Sequence, residues 1–309
     1  MDFVYPKRLE PGDTIAFVAP SEPVVRAEIE DSKKYLESLG YKVKYGKHLF
    51  GSLGEYTSGT VENRASDLNS AFLDDDVRVI FMSKGGYTAD QVLDKIDYSL
   101  LRQNPKIFVG YSDATILQMA FLAKAALVVF HGPNRISAEE TDKYTQENLW
   151  RVLKGEDTAM VKPVSHWRSL KKGRARGLLV GGNLDTICSV LGTAYDPFPK
   201  LSDPLIFFWE EYDHEQGVII RNLYQLKNAG IFSRCSGMVV GKLTKCQEKE
   251  LTGTPDIDDA LLEMTKEYDF PILWGVDFGH DVPKMTIPIG VEGWINTARM
   301  EFGFEKAVK

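Results

Sequence analysis

The chain has 309 residues, 43% hydrophobic and 26% charged, which suits one large or two medium globular domains and excludes a disordered chain. Its 37 Lys and Arg against 44 Asp and Glu leave a net charge of −7, and without a basic tract nucleic acid is disfavoured as a partner. The longest apolar run, Ala120 to Phe130, is broken by Lys124 and falls short of the roughly 20 residues a membrane helix needs, while the N-terminus lacks the pattern of an export signal; no membrane partner and a cytoplasmic location are therefore expected.

Strand and helix signals alternate from the start. Thr14 to Val18 is a short apolar strand, and Val25 to Leu39 carries apolar residues at helical spacing until Gly40 stops it. The step repeats with a strand at Lys42 to Tyr45, a helix at Glu62 to Leu73, a strand at Val79 to Met82, a helix at Asp90 to Ile96, a strand at Ile107 to Val109 and a helix at Ala114 to Lys124. Such alternation predicts an α/β fold whose mostly parallel sheet is covered by helices, with ligands at the carboxyl ends of the strands. Between about Lys154 and Arg176 the apolar periodicity fades and basic residues gather, which reads as a linker. A second run follows at Gly177 to Val180, the helix-like Leu184 to Leu191, Leu205 to Trp209, Val218 to Leu226, Gly237 to Val240 and Asp256 to Tyr268, then in short segments around Ile272, Ile287 and Trp294. The expected division is an N-terminal domain over 1–155, a linker over 156–175 and a C-terminal domain over 176–309. Cys188, Cys235 and Cys246 form no C-x-x-C pair, and their odd number reads as reduced thiols in packed elements.

The sharpest local feature is an apolar strand that enters Gly110-Tyr111-Ser112-Asp113-Ala114 and leaves in a helix. It resembles a nucleophile elbow, in which a serine on a tight turn projects Oγ above the sheet edge and the next N–H points at a bound carbonyl oxygen. Ala114 replaces the last glycine of G-x-S-x-G, and helix capping by Ser112 is the other reading of the segment. A second turn, Ser83-Lys84-Gly85-Gly86-Tyr87-Thr88, follows an apolar strand and belongs at the same sheet edge; its N–H groups suit an oxyanion, although Gly-Gly alone also marks a plain turn. A nucleophilic serine needs a base. His280 lies in a Gly- and Pro-rich loop beyond a strand predicted over Pro271 to Asp277, where functional residues concentrate. His131 reads equally as a strand-end cap, and His48, His166 and His214 as surface residues. Glu210, at the end of the strand beginning at Leu205, is the candidate carboxylate, with Glu211 expected to point the other way. Ser112, Glu210 and His280 follow the chain order of α/β-hydrolases. They are expected to form a hydrogen-bonded chain of roughly 2.6 to 3.2 Å per link, looser in an empty site.

Gly12-Asp-Thr-Ile-Ala-Phe-Val-Ala-Pro-Ser, Lys84-Gly-Gly-Tyr, Gly110-Tyr-Ser-Asp-Ala-Thr, His131-Gly-Pro, Gly181-Gly-Asn-Leu-Asp-Thr, Trp209-Glu-Glu and Gly279-His, with Thr286-Ile-Pro-Ile-Gly after it, occur together and in order. From about Val4 to Ile295 the chain resembles the LD-carboxypeptidases of murein recycling and the related microcin C immunity peptidases. The resemblance implies a serine peptidase with a Ser112, Glu210 and His280 triad and an oxyanion hole from the N–H groups of Gly86 and Asp113. It implies no metal or organic cofactor. It further implies a Rossmann-like N-terminal domain carrying the serine, a smaller β-rich, barrel-like α/β C-terminal domain carrying the acid and base, and a homodimer.

The substrate implied is a small peptide or aminoacyl conjugate, cleaved at an amide between an L-centre and a D-amino acid. Hydrolysis of an aminoacyl-nucleotide analogue is the alternative. The sequence departs from both subgroups: many murein-recycling members read Arg-Gly-Gly-Tyr-Gly where it has Lys84-Gly85-Gly86-Tyr87-Thr88, and the segment around Trp167 is shorter than the stacking loop of immunity-type proteins. Lys84, Gly85, Trp167 and Arg221 are the candidate substrate contacts, Lys84 and Arg221 as cations for a carboxylate. A non-catalytic ligand-binding module is the rival class. Its dinucleotide form is disfavoured, because Ala19-Pro20-Ser21 follows the first strand instead of G-x-G-x-x-G and no Walker motif occurs.

Overall fold

The first apolar run becomes β1 (Thr14–Val18), buried along its whole length, as a strand covered on both faces must be. After it come α1 (Arg26–Ser38), β2 (Lys42–Tyr45), α2 (Val61–Leu73), β3 (Val77–Met82), a 3-10 turn at Ala89–Lys95, α3 (Tyr98–Gln103), β4 (Ile107–Gly110), α4 (Ala114–Ala125), β5 (Val129–His131) and α5 (Lys143–Leu153). The rest of the chain forms β6 (Arg168–Lys171), β7 (Arg174–Asn183), α6 (Leu184–Val190), β8 (Leu205–Tyr212), α7 (Gln216–Asn228), β9 (Cys235–Thr244), α8 (Ile257–Met264), β10 (Ile272–Trp274), β11 (Ile287–Ile289), β12 (Glu292–Asn296) and β13 (Glu301–Phe304). This is a computed structural model, and it describes residues 1–139, 141–156, 161, 163–246 and 252–309.

Two sheets organise these elements. The first has the order β11-β5-β4-β3-β1-β2, parallel throughout except for β11. Strand order reverses around β1, so the loops after β1 and β3 diverge at a topological switch point, where doubly wound folds open a crevice. The second sheet, β13-β12-β7-β8-β9-β10-β6, has a parallel centre from β7 to β10. Antiparallel β12 and β13 lie on one edge and β6 on the other. It curls like half a barrel. The expected α/β architecture, a Rossmann-like unit with a β-rich partner, is the one observed.

Several elements differ from the sequence reading. The helix expected at Asp90 to Ile96 is 3-10, and the strand expected over Pro271 to Asp277 stops at Trp274, where Gly275 turns the chain with φ 77°. Arg168–Lys171, inside the segment read as a linker, forms an edge strand on β10; residues 157–160 and 162 of that segment lie outside the described residues. The Ile287 segment joins the first sheet, not the second. All three cysteines are free thiols. Among the described residues no helix is long and apolar enough to cross a membrane.

The helix α4 lies where the two sheets' layers meet. Every residue of it except Lys124 is buried, the pattern of a helix enclosed on all sides. Its polar side chains tie it to both sheets: Gln118 Nε2 donates to the Gly110 and Phe130 carbonyls at 2.8 Å each, and Thr115 Oγ1 accepts from the Asn183 N–H at 3.1 Å. Gly182 makes that approach possible, because its φ is 151° and a Cβ there would come within 2.6 Å of the Thr115 side chain.

Candidate active site

Ser112 occupies the turn between β4 and α4 with φ 63°, a left-handed conformation that costs a non-glycine residue roughly 1–3 kcal/mol and is held there by surrounding structure. The capping role is not taken: Asp113 is the N-cap of α4, without a side-chain cap bond. A nucleophile elbow has this geometry.

The glycine turn after β3 lies against that elbow. A Cβ on Gly85 would fall 3.0 Å from Ser112 Cβ and Oγ and 3.7 Å from the Asp113 nitrogen, and one on Gly86, whose φ is 140°, would fall 2.5 Å from Ser21 Oγ. Backbone therefore reaches the serine only because no side chain intervenes. The Asp113 carboxylate fastens the turn, accepting from Ser21 Oγ at 2.5 Å and from the N–H groups of Thr88 and Ala89 at 3.0 and 2.9 Å. Among the described residues, no acceptor takes the N–H of Gly86 or of Asp113.

His280 arrives on the loop between β10 and β11. Its Nδ1 lies 2.7 Å from Glu210 Oε2, and Glu210 is fully buried, so the Nδ1–H tautomer donates to the carboxylate and leaves Nε2 as the basic nitrogen. Tyr212 stacks on the imidazole at 4.5 Å and Tyr111 meets it edge-on at 4.8 Å, fixing the ring plane. The link to Ser112 is open: no hydrogen bond joins Ser112 to His280, yet both line one cavity of about 690 Å³. Such links often tighten only when substrate binds.

Glu211 does turn away from Glu210. It accepts from Asn183 Nδ2 at 2.7 Å, the Asp185 N–H at 2.9 Å and the Tyr212 N–H at 3.0 Å. Burial and the adjacent Glu210 nevertheless push its pKa up to about 8. Acids after an apolar run usually face solvent, but β8 continues through both of these and buries them, which nothing in the sequence indicates. His131 is enclosed by the rings of Tyr111, Phe208 and Phe278, and burial lowers its pKa to about 4, so it is a neutral core residue.

Of the candidate substrate contacts, Lys84 and Gly85 line the cavity, whereas Trp167 and Arg221 do not. Trp167 is buried with its Nε1 donating to Asp277 Oδ2 at 2.8 Å, and Arg221 is exposed on α7. Arg135, Lys284 and His214 line the cavity without having been singled out as site residues. For Lys284 the signal was its place four residues after His280; for Arg135, its place just after His131-Gly-Pro.

An elbow serine facing a carboxylate-bound imidazole, with unclaimed N–H groups beside it, is the equipment of a hydrolytic enzyme. Models of the LD-carboxypeptidase N-terminal and C-terminal domains match residues 15–132 and 176–295. A probable murein peptide carboxypeptidase of Bacillus subtilis (strain 168) is 33% identical over 98% of this chain and 95% of its own. The microcin C7 self-immunity protein MccF of Escherichia coli is 27% identical over 91% and 90%. The crystal structure of an MccF-like protein from Bacillus anthracis str. Ames superposes with a TM-score of 0.85 at 27% identity, over 97% of this chain and 98% of the other. The chain belongs to the LD-carboxypeptidase family.

Proposed function

We propose that the protein is a serine LD-carboxypeptidase that removes a D-amino acid from an L-centre of a murein-type peptide. The reading rests above all on the hydrogen bond between Glu210 and His280, whose imidazole lines the same cavity as the strained Ser112. Ser112 Oγ attacks the scissile carbonyl while His280 Nε2 takes its proton. The oxyanion is held by the N–H groups of Gly86 and Asp113, each worth on the order of 3 kcal/mol of barrier. His280 then protonates the leaving amine, and water clears the acyl-enzyme. In this reading the nucleophile domain spans 1–155 and the acid and base come from 176–309. Cytoplasmic residence, a role in peptidoglycan recycling and a homodimer accompany it through the family resemblance, and sedimentation velocity tests the dimer.

The alternative, hydrolysis of an aminoacyl-nucleotide analogue as the kinship with a self-immunity protein suggests, calls for an aromatic platform. Trp167, buried against Asp277, does not supply one. Assays of L,D-tetrapeptide beside aminoacyl sulfamoyl adenosine separate the two. Ser112→Ala is expected to lower kcat by on the order of 10⁴-fold or more, and turnover of the tetrapeptide at the parent rate by that variant rules the mechanism out.

A further inference from the structure

Three cationic side chains, Lys84, Arg135 and Lys284, line the cavity among the described residues. Lys84 Nζ lies 3.3 Å from Glu22 Oε2, and Arg135 lies 3.2 Å from Glu28 Oε1. Both charges are answered by protein carboxylates. Lys284 is different. It is half-buried, its Nζ donates to the His280 carbonyl at 2.7 Å, and it sits 4.6 Å from the centre of the Tyr111 ring. No carboxylate of the described residues pairs with it.

An ammonium carries three N–H donors, and among the described residues only one of these has a partner. Taking a charge out of water without a counter-charge is unfavourable; the face of an aromatic ring offsets this in part. Burial accordingly holds the Lys284 pKa below its ordinary value, while Glu210 acts in the opposite direction. Tyr111, the ring beneath Lys284, precedes Ser112 in the chain and touches the His280 ring. The charge, answered by Glu210, Asp281 and Asp142 only through space and by no direct ion pair among the described residues, is thus anchored beside the reacting groups.

We propose that Lys284 binds the terminal carboxylate of the substrate and thereby restricts cleavage to the last residue of a peptide. This assignment rests on the peptidase reading above and replaces Lys84 and Arg221 as the cation for that carboxylate. An L,D-tetrapeptide with a free terminal carboxylate and the same peptide ending in a carboxamide test it, with wild type, Lys284→Met and Lys284→Arg. The wild type is expected to prefer the acid. In Lys284→Met, the acid-to-amide ratio of kcat/KM is expected to fall on the order of 10- to 100-fold, as for loss of a charge-assisted hydrogen bond, with the loss carried mainly by KM for the acid. Lys284→Arg, which keeps the charge and displaces it, is expected to retain part of the preference, and serves if the methionine variant does not fold. An unchanged acid-to-amide ratio, or an equal loss on both substrates, overturns the assignment and leaves Lys284 as a support for the His280 loop. Failure of the wild type to cleave either peptide overturns the peptidase reading itself.

Discussion

Glu210 and Glu211 are neighbours in sequence and both are buried, yet strand alternation sends one to His280 and the other to the β7–α6 turn. Glu210 has a cationic partner whenever the imidazole is protonated; Glu211 has only N–H donors. Its pKa is about 8 in the fold against 4.5 for the free side chain, so folding takes up a proton between those values. The stability it contributes is fully present below about pH 4.5 and is lost as pH rises through 8. Thermal melts at pH 5, 6, 7 and 8 are expected to show the wild type losing stability on the order of a few kcal/mol across this window, with Glu211→Gln showing a shallower slope. Parallel slopes in the two proteins would mean that Glu211 is already ionised at neutral pH.

At the scale of elements, Asp113 is what joins two loops into one site. Its carboxylate reaches Ser21 after β1 and the Thr88 and Ala89 N–H groups after β3, while its own N–H stands beside Ser112. Arg64 adds a second clamp, donating to the Pro20 and Thr88 carbonyls at 2.7 Å each. Asp113→Ala keeps the backbone N–H but frees the glycine turn. We expect a stability loss of about 1–3 kcal/mol in urea melts. We also expect kcat to fall on the order of 100-fold with KM nearly unchanged, because in the proposed mechanism the displaced Gly86 N–H acts only on the oxyanion. Full kcat in this variant would show that Arg64 alone holds the turn. The elbow, the glycine turn, Glu210 and His280 were legible because each follows an apolar strand, and strand ends in this fold converge on one edge. Strands β1 and β2 were read to their final residues for the same reason, being short runs between breakers. The edge strand β6, RSLK, was not legible, since its order comes from pairing with β10. Nor was the position of Trp167, whose indole is drawn inward by a carboxylate 110 residues away.

The whole molecule is less separable than a two-domain sequence pattern suggests. Strand β11 crosses from the second half to pair with β5, Ile287 opposite His131 and Ile289 opposite Val129, and both isoleucines are fully buried. The last residue returns to the first segment: the Arg8 N–H donates to the Lys309 carbonyl and the Lys309 N–H to the Pro6 carbonyl, each at 2.9 Å. Helix α4, buried except at Lys124, takes part of its cover from α6 and β7. A fragment of residues 1–155 would keep Ser112 and the N–H groups of Gly86 and Asp113 but would expose the β5 edge and one side of α4, a combination that favours aggregation over folding. It is expected to elute as aggregate in size-exclusion chromatography and to show no cooperative thermal transition by circular dichroism, while the full chain melts cooperatively. If the fragment instead remains monomeric and melts with a sharp transition near that of the full chain, the first sheet is self-sufficient, and β11 and the returning C-terminus serve to hold His280 over the serine, not to complete a core.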